Sequence, residues 1–200
     1  MKTLNQKYLE RLNEFKDTNI QSALGIFREQ REIHPMFVAI VPTFEKEKHF
    51  ELFVVALANL GGENFEQSKN NAAVFMEVFI QEKQPLATCL FSEAWMVQIK
   101  DVEQKGGAIA ASQGLIPSEH PDRVEVVNLA FESYDMSAHV IFQIKRPPGV
   151  EPFLVQVSPE KSEWRKTPEE AKNFRWAALF KKAGIDFPAL LTKTFSFSDN

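Results

Sequence analysis

PLATCLFSEAWMVQIK, residues 85–100, carries Leu86, Leu90, Phe91, Ala94, Trp95, Met96, Val97 and Ile99 within one strand-length run. Apolar residues fall on both alternating faces, the pattern of a central strand covered on two sides. The run therefore asks for a sheet with a layer packed on each face. Glu93 is the only acidic or basic residue between Leu86 and Ile99. Alternation places Cys89, Phe91, Trp95, Val97 and Ile99 on its side of the strand, so its carboxylate stands among apolar groups. An uncompensated charge there is costly, and Glu93 must find a hydrogen-bonding partner or take up a proton with a raised pKa. A structural pair and an active or ligand site both meet that requirement.

Downstream, the 101–123 connection is long for a compact domain. VEVVNLAFESY (124–134) and AHVIFQIK (138–145) then read as strands joined by a tight turn at Asp135, Met136 and Ser137. FLVQVSP, after the stiff RPPGVEP, adds a short strand. Pairing these strands with the 86–99 run predicts one face with Phe91, Trp95, Val127, Leu129, Phe131 and Ile141. The other face takes Leu90, Met96, Val126, Val140, Phe142 and Ile144.

Upstream, MFVAIVPT (36–43) and HFELFVVALANL (49–60) read as a β-hairpin, followed by a helix over 64–82 with Phe65, Ala72, Met76 and Phe79 at helical spacing. In the N-terminal helical segment 1–33, Leu4, Tyr8, Leu12 and Phe15 form one amphipathic stretch. A second starts at a Thr18 or Asn19 cap and ends before His34 and Pro35, which predicts an N-terminal helical pair. TPEE at 167–170 supplies a cap, a proline at the first helical position and a capping box, so a C-terminal helix is expected over 167–183, stopping at Gly184. The tail PALLTKTFSFSDN alternates Phe195 and Phe197 with polar residues, as an edge strand or a frayed end would. The expected fold is α+β. Its mainly antiparallel sheet of five to six strands over 36–158 takes an N-terminal helical pair, one central helix and one C-terminal helix in a single domain, 1–200.

Composition bounds the role. Two hundred residues suffice for a core that buries roughly 70% of the unfolded chain's surface. The lone cysteine, Cys89, rules out an intramolecular disulfide. A net charge of −4 argues against a general nucleic-acid surface. The basic group Arg165, Lys166, Lys172, Arg175, Lys181 and Lys182 is diluted by Glu160, Glu163, Glu169 and Glu170, so a solvated helix face is expected there and nucleic acid is not. No apolar run approaches a membrane span, and MKTLNQKYLERLNEF has no signal-peptide centre, which points to a cytoplasmic protein. Eighteen phenylalanines against two tyrosines favour dry cores and dry interfaces, and with them self-association.

SEHPDR, 118–123, is the second chemical candidate. It could position a histidine acid/base or supply metal ligands, or it could be a turn fixed by Pro121 and Asp122. If the chain is an enzyme, Glu93, His120 and Asp122 are its catalytic candidates, with Glu119, Arg123 and Trp95 as binding candidates. His34, His49, His120 and His139 share no metal-ligand spacing, and no nucleotide or hydrolase motif is present, so no metal or cofactor is expected. Residues 86–132, with SEAWM at 92–96 and HPDRVEV at 120–126, resemble small α+β proteins of uncharacterised function. That resemblance implies a shared hairpin and carries no activity. The first reading is a non-catalytic homo-oligomeric binding or interaction protein. The alternative is a small enzyme or ligand-binding protein using Glu93 and the 101–123 loop.

Overall fold

The computed structural model describes residues 3–43, 50–97, 123–157, 163–167 and 178–196. Among them are seven strands: β1 Met36–Pro42, β2 Phe50–Ala56, β3 Ala87–Val97, β4 Arg123–Glu132, β5 Met136–Lys145, β6 Phe153–Gln156 and β7 Arg165–Lys166. All pairings are antiparallel, in the order β2-β1-β3-β4-β5-β6, with β7 beside β6 on the outer edge of β5. The first half of the quoted run, Ala87–Phe91, thus lies inside the sheet between β1 and β4. The expected two-sided cover does not extend to Ala94 and Trp95, which are exposed beyond the end of β1, and 98–100 lie outside the described residues. The register aligns Phe37 with Leu90 and Ala130 on one face, and Val38 with Cys89 and Phe131 on the other.

Four α-helices cover these faces, α1 Leu4–Gln30, α2 Phe65–Lys83, α3 Leu179–Ala183 and α4 Phe187–Ser196. On the Phe131 face, Phe15 of α1 meets Phe131 edge-on at 6.3 Å, Tyr8 meets Phe187 of α4 at 5.0 Å, and Phe195 lies 6.4 Å from Phe50. On the Phe37 face, Phe75 and Phe79 of α2 stand 6.1 and 5.4 Å from Phe37, and α3 packs along α2. Full burial of each such ring is worth on the order of 2–3 kcal/mol, so the phenylalanines carry much of the core.

The N-terminal pair is in fact one helix. Thr3 and Gln6 form a capping box, and the buried stripe Tyr8, Leu12, Phe15, Asn19, Ala23 and Phe27 continues at spacings of three and four across the expected break. Asn19 does not cap, because its side chain turns inward and donates to the Phe15 carbonyl at 2.8 Å. The helix ends at Arg31, in the left-handed region at φ 64. The 64–82 helix is present as α2, capped by Asn64, whose side chain accepts from the Gln67 N–H at 2.9 Å. Gly62 precedes it at φ 153, where a Cβ would meet Ser68 at 2.6 Å.

Four further expectations change. The β4–β5 turn falls at Ser133, Tyr134 and Asp135, with Met136 and Ser137 already in β5. Val127 consequently pairs with Phe142 and Leu129 with Val140, so Val140, Phe142 and Ile144 join the Phe91 face and Ile141 leaves it. A shift of one residue exchanges faces throughout a strand. Of the C-terminal helix expected over 167–183, the described part is α3, Leu179–Ala183, which starts after Ala178 at φ 55 and so does not run on from a preceding helical turn. Thr167, the expected cap, follows β7 and donates its N–H to the Asp135 carbonyl at 2.7 Å, while 168–177 lie outside the described residues. The tail is a helix, since Leu190, Leu191, Thr194 and Phe195 are buried at helical spacing and Asp186 accepts from the Ala189 N–H at 3.2 Å.

The turn that shifted is pinned by a buried hydrogen-bond chain. The Ser133 hydroxyl donates to the Leu86 carbonyl at 2.7 Å and so accepts from the Tyr8 hydroxyl, tying α1 and the entry to β3 to one serine. Ser133→Ala leaves both partners buried and unpaired, and urea unfolding should show a loss of about 1–3 kcal/mol. Tyr8→Phe should lose less, because Ser133 keeps Leu86; equal losses would remove the serine from its central place.

Candidate functional site

Glu93 sits on the Phe91 face opposite Val127, midway along the β3–β4 ladder and two residues beyond the last pair of β3 with β1. Its carboxylate is half-buried and accepts the Ile33 N–H at 2.6 Å, just past the end of α1. Burial pushes its pKa above the ordinary carboxylate value, with Glu125 and Glu32 adding to the rise; the Ile33 hydrogen bond and Arg146 oppose it. Beside it, Arg146 grips Glu125 through two nitrogens at 2.8 and 3.2 Å. Trp95 is 44% exposed, and the Arg123 guanidinium lies 5.0 Å above its ring. The structure thus brings Glu93, Trp95 and Arg123 to one charged end of the sheet. Glu119, His120 and Asp122 lie outside the described residues. Among the described residues, no three His, Cys, Asp or Glu side chains gather as a metal ion would need, and no helix is long and apolar enough to cross a membrane.

A second carboxylate is more strongly perturbed. Glu132 lies on the other face, paired with Thr88 and Ser137 at the turn end of the sheet. It is buried and accepts backbone hydrogen bonds from Leu179 and Ala178, with Lys182 and Lys181 nearby. Burial outweighs these partners and pushes its pKa up to about 8. Sequence reasoning missed it because FES before a turn resembles an ordinary exposed strand end. What buries it is α3, which arrives from residues 179–183.

Two concavities among the described residues lie beside α1 and α2. One, of about 620 Å³, lies between α1 and β5, lined by Leu9, Lys16, Ile20, Met136, Val140 and Trp164 among others. Its lining comes from segments too distant in sequence for any local pattern to join. The other is a shallow apolar groove of about 410 Å³ along α2, lined by Asn71, Val74, Phe75, Val78, Phe79 and Glu82. Beside α2 runs β2, where Leu52 and Val54 are each 58% exposed on the opposite sheet face. Lys181 and Lys182, once expected on a solvated helix face, are half-buried, with Lys181 donating to the Thr167 carbonyl at 3.4 Å.

No protein-family model, curated protein or solved structure matches this chain. Geometry alone therefore carries the reading of its role.

The raised pKa of Glu132 has a signed consequence. The folded chain holds this proton more tightly than the unfolded chain, whose glutamate keeps the ordinary value of 4.5. Its contribution to stability is full below pH 4.5 and is lost as pH rises through about 8. Between pH 5 and 8.5 the melting temperature should fall by several degrees more in the unaltered protein than in Glu132→Gln. Parallel melting curves would show that Glu132 ionises at no cost to the fold.

Proposed function

We propose that this chain is a cytoplasmic, non-catalytic protein that acts as a homo-oligomeric interaction module through the β2 edge and the outer flank of α2. The supporting observation is that, among the described residues, no strand pairs with the outer edge of β2. FELFVVA, β2, has seven residues with one acid and neither proline nor lysine. Edge strands are ordinarily blunted by such residues, by shortness or by a covering element. The opposite edge follows that rule, since β6 has four residues and comes directly after Pro152. Leu52 and Val54 are exposed on the sheet face opposite α2, and Val74 and Val78 of α2 are exposed on the other side, so apolar residues are exposed on both sides of this edge.

Sedimentation velocity across a concentration series should give a mass above that of one chain at micromolar protein. Val78→Glu should shift that mass towards a single chain and leave the melting temperature within about 2 °C, because Val78 is exposed and packs little. A single-chain mass for the unaltered protein at all concentrations would sink this reading.

A second reading has support at the Glu93 end, where a half-buried carboxylate with a raised pKa adjoins an exposed indole bearing a cation. These are the parts of a small-molecule site. In native mass spectrometry it predicts a retained small molecule that Glu93→Gln and Trp95→Ala each release; a bare protein in every spectrum would remove it.

A further inference from the structure

β2 is an edge whose free hydrogen-bonding groups can be assigned. The Leu57 N–H donates to the Pro35 carbonyl at 2.9 Å, and the register pairs Phe37 with Val55 and Ala39 with Phe53. In an antiparallel ladder both polar groups of a residue point to the same side and alternate along the strand. Odd-numbered residues of β2 therefore bond to β1. Phe50, Leu52, Val54 and Ala56 present their N–H and C=O groups outward.

These four residues are symmetric about Phe53. Two copies of β2 related by a two-fold axis at Phe53 would pair Leu52 with Val54 and Phe50 with Ala56, which satisfies every outward N–H on both strands. Centring the axis on Leu52 or Val54 leaves outward groups unpaired at the ends. In the Phe53 register, Leu52 of one copy lies directly against Val54 of the other on one sheet face, so the two exposed side chains cover each other. The strand is thus self-complementary in both its hydrogen bonds and its apolar surface.

The helix layer fits the same axis. Phe79 rests on Phe37 of β1 and Phe53 of β2, with ring centroids 5.4 and 5.5 Å away, which sets α2 above the gap between those strands. Strands lie ~4.8 Å apart, so the seam between two β2 strands would run one strand spacing outside the α2 axis. The symmetry-related helices would then stand ~10 Å apart, the distance at which helices pack. The groove holding Val74 and Val78 is on the flank that Phe75 and Phe79 share, and α3 packs elsewhere along α2. Leu52, Val54, Val74 and Val78 are 44–62% exposed. Together they offer roughly 400 Å² per copy, about half of the ~800 Å² that each partner in a stable interface buries. The strand backbone and the rest of the α2 flank would supply the remainder.

We infer that two copies of this chain join β2 to β2 across a two-fold axis at Phe53, making one sheet continuous through both protomers with the Val74 and Val78 flanks of α2 packed together on one face. The inference rests on the proposed self-association and adds its partner, a second copy, and its register. Such an interface is isologous and closes at two subunits.

Cysteine cross-linking under mild oxidation tests the register, with the native Cys89 left in place because it is buried. Opposed residues in an antiparallel ladder are ~4.5–5.5 Å apart at Cα, inside the disulfide range, whereas residues two positions off lie beyond it. Phe53→Cys should cross-link to itself. Leu52→Cys mixed with Val54→Cys should form a covalent heterodimer, while neither alone should, and this second arm does not need the Phe53 ring. Self-linking by Leu52→Cys or Val54→Cys alone would overturn the register while leaving self-association intact. Absence of any cross-link in a protein that sediments as a dimer would overturn the β2 seam. A protein that sediments as a single chain would remove both the inference and the reading beneath it.

Discussion

Burial of β3 on both faces is the constraint from which the rest of this architecture follows. Cys89 and Phe91 on one side, and Thr88 on the other, are all withdrawn from water, so the sheet needs two cover layers. The chain supplies them from opposite ends of its length: α1 and α4 over the Phe91 face, α2 and α3 over the Phe37 face. Backbone groups of the strand pair with β4 over Thr88–Val97 and with β1 over Ala87–Phe91, which leaves burial of apolar surface as the main favourable contribution in that first half.

Two carboxylates mark where the cover layers attach, and they are used alike. Glu93 accepts the N–H of Ile33, two residues after Arg31 turns left-handed at the end of α1. Glu132 accepts the N–H groups of Ala178 and Leu179, where Ala178 is itself left-handed. Each binds a strained chain reversal to the sheet, one on each face, Glu93 midway along the β3–β4 ladder and Glu132 at its turn end. Non-glycine residues at positive φ carry a conformational penalty of about 1 kcal/mol or more, which a buried acceptor helps to offset. Raised pKa values at both positions follow from this placement, and a structural clamp is enough to explain them.

Among the described residues, four helices cover β1, the first half of β3, β4 and β5, while Trp95 of β3 stays 44% exposed and β2 keeps Leu52 and Val54 open. A short strand after a proline closes the other margin, so the two edges of the sheet are unequal. An unequal pair of edges favours a finite, symmetric assembly over an open-ended one, because only one edge is long enough and apolar enough to recruit a partner.

Patterns confined to a turn of helix or a single strand were legible without the fold. The burial of Ala87–Phe91, the β1–β2 hairpin and the α2 helix depend on residues within a few positions of one another, whereas the exposure of Ala94 and Trp95 and the charged neighbours of Glu93 do not. The α4 helix was not read from the sequence, because the alternation of Phe195 and Phe197 suggested an edge strand or a frayed end and obscured the helical spacing of Leu191 and Phe195. What the folded chain alone decided depends on distant partners. Asn19 could be read as a cap until the Phe15 carbonyl took its amide, and the faces of β5 turned on a hairpin bend that Ser133 fixes through Leu86 and Tyr8. Glu132 became the most perturbed carboxylate among the described residues only because residues 179–183 close over it, and Leu52 and Val54 of β2 stay exposed although α2 and α4 reach Phe53 and Phe50 of the same strand. Local periodicity determines which side of an element is apolar; contacts between elements far apart in the chain determine which of those sides is covered.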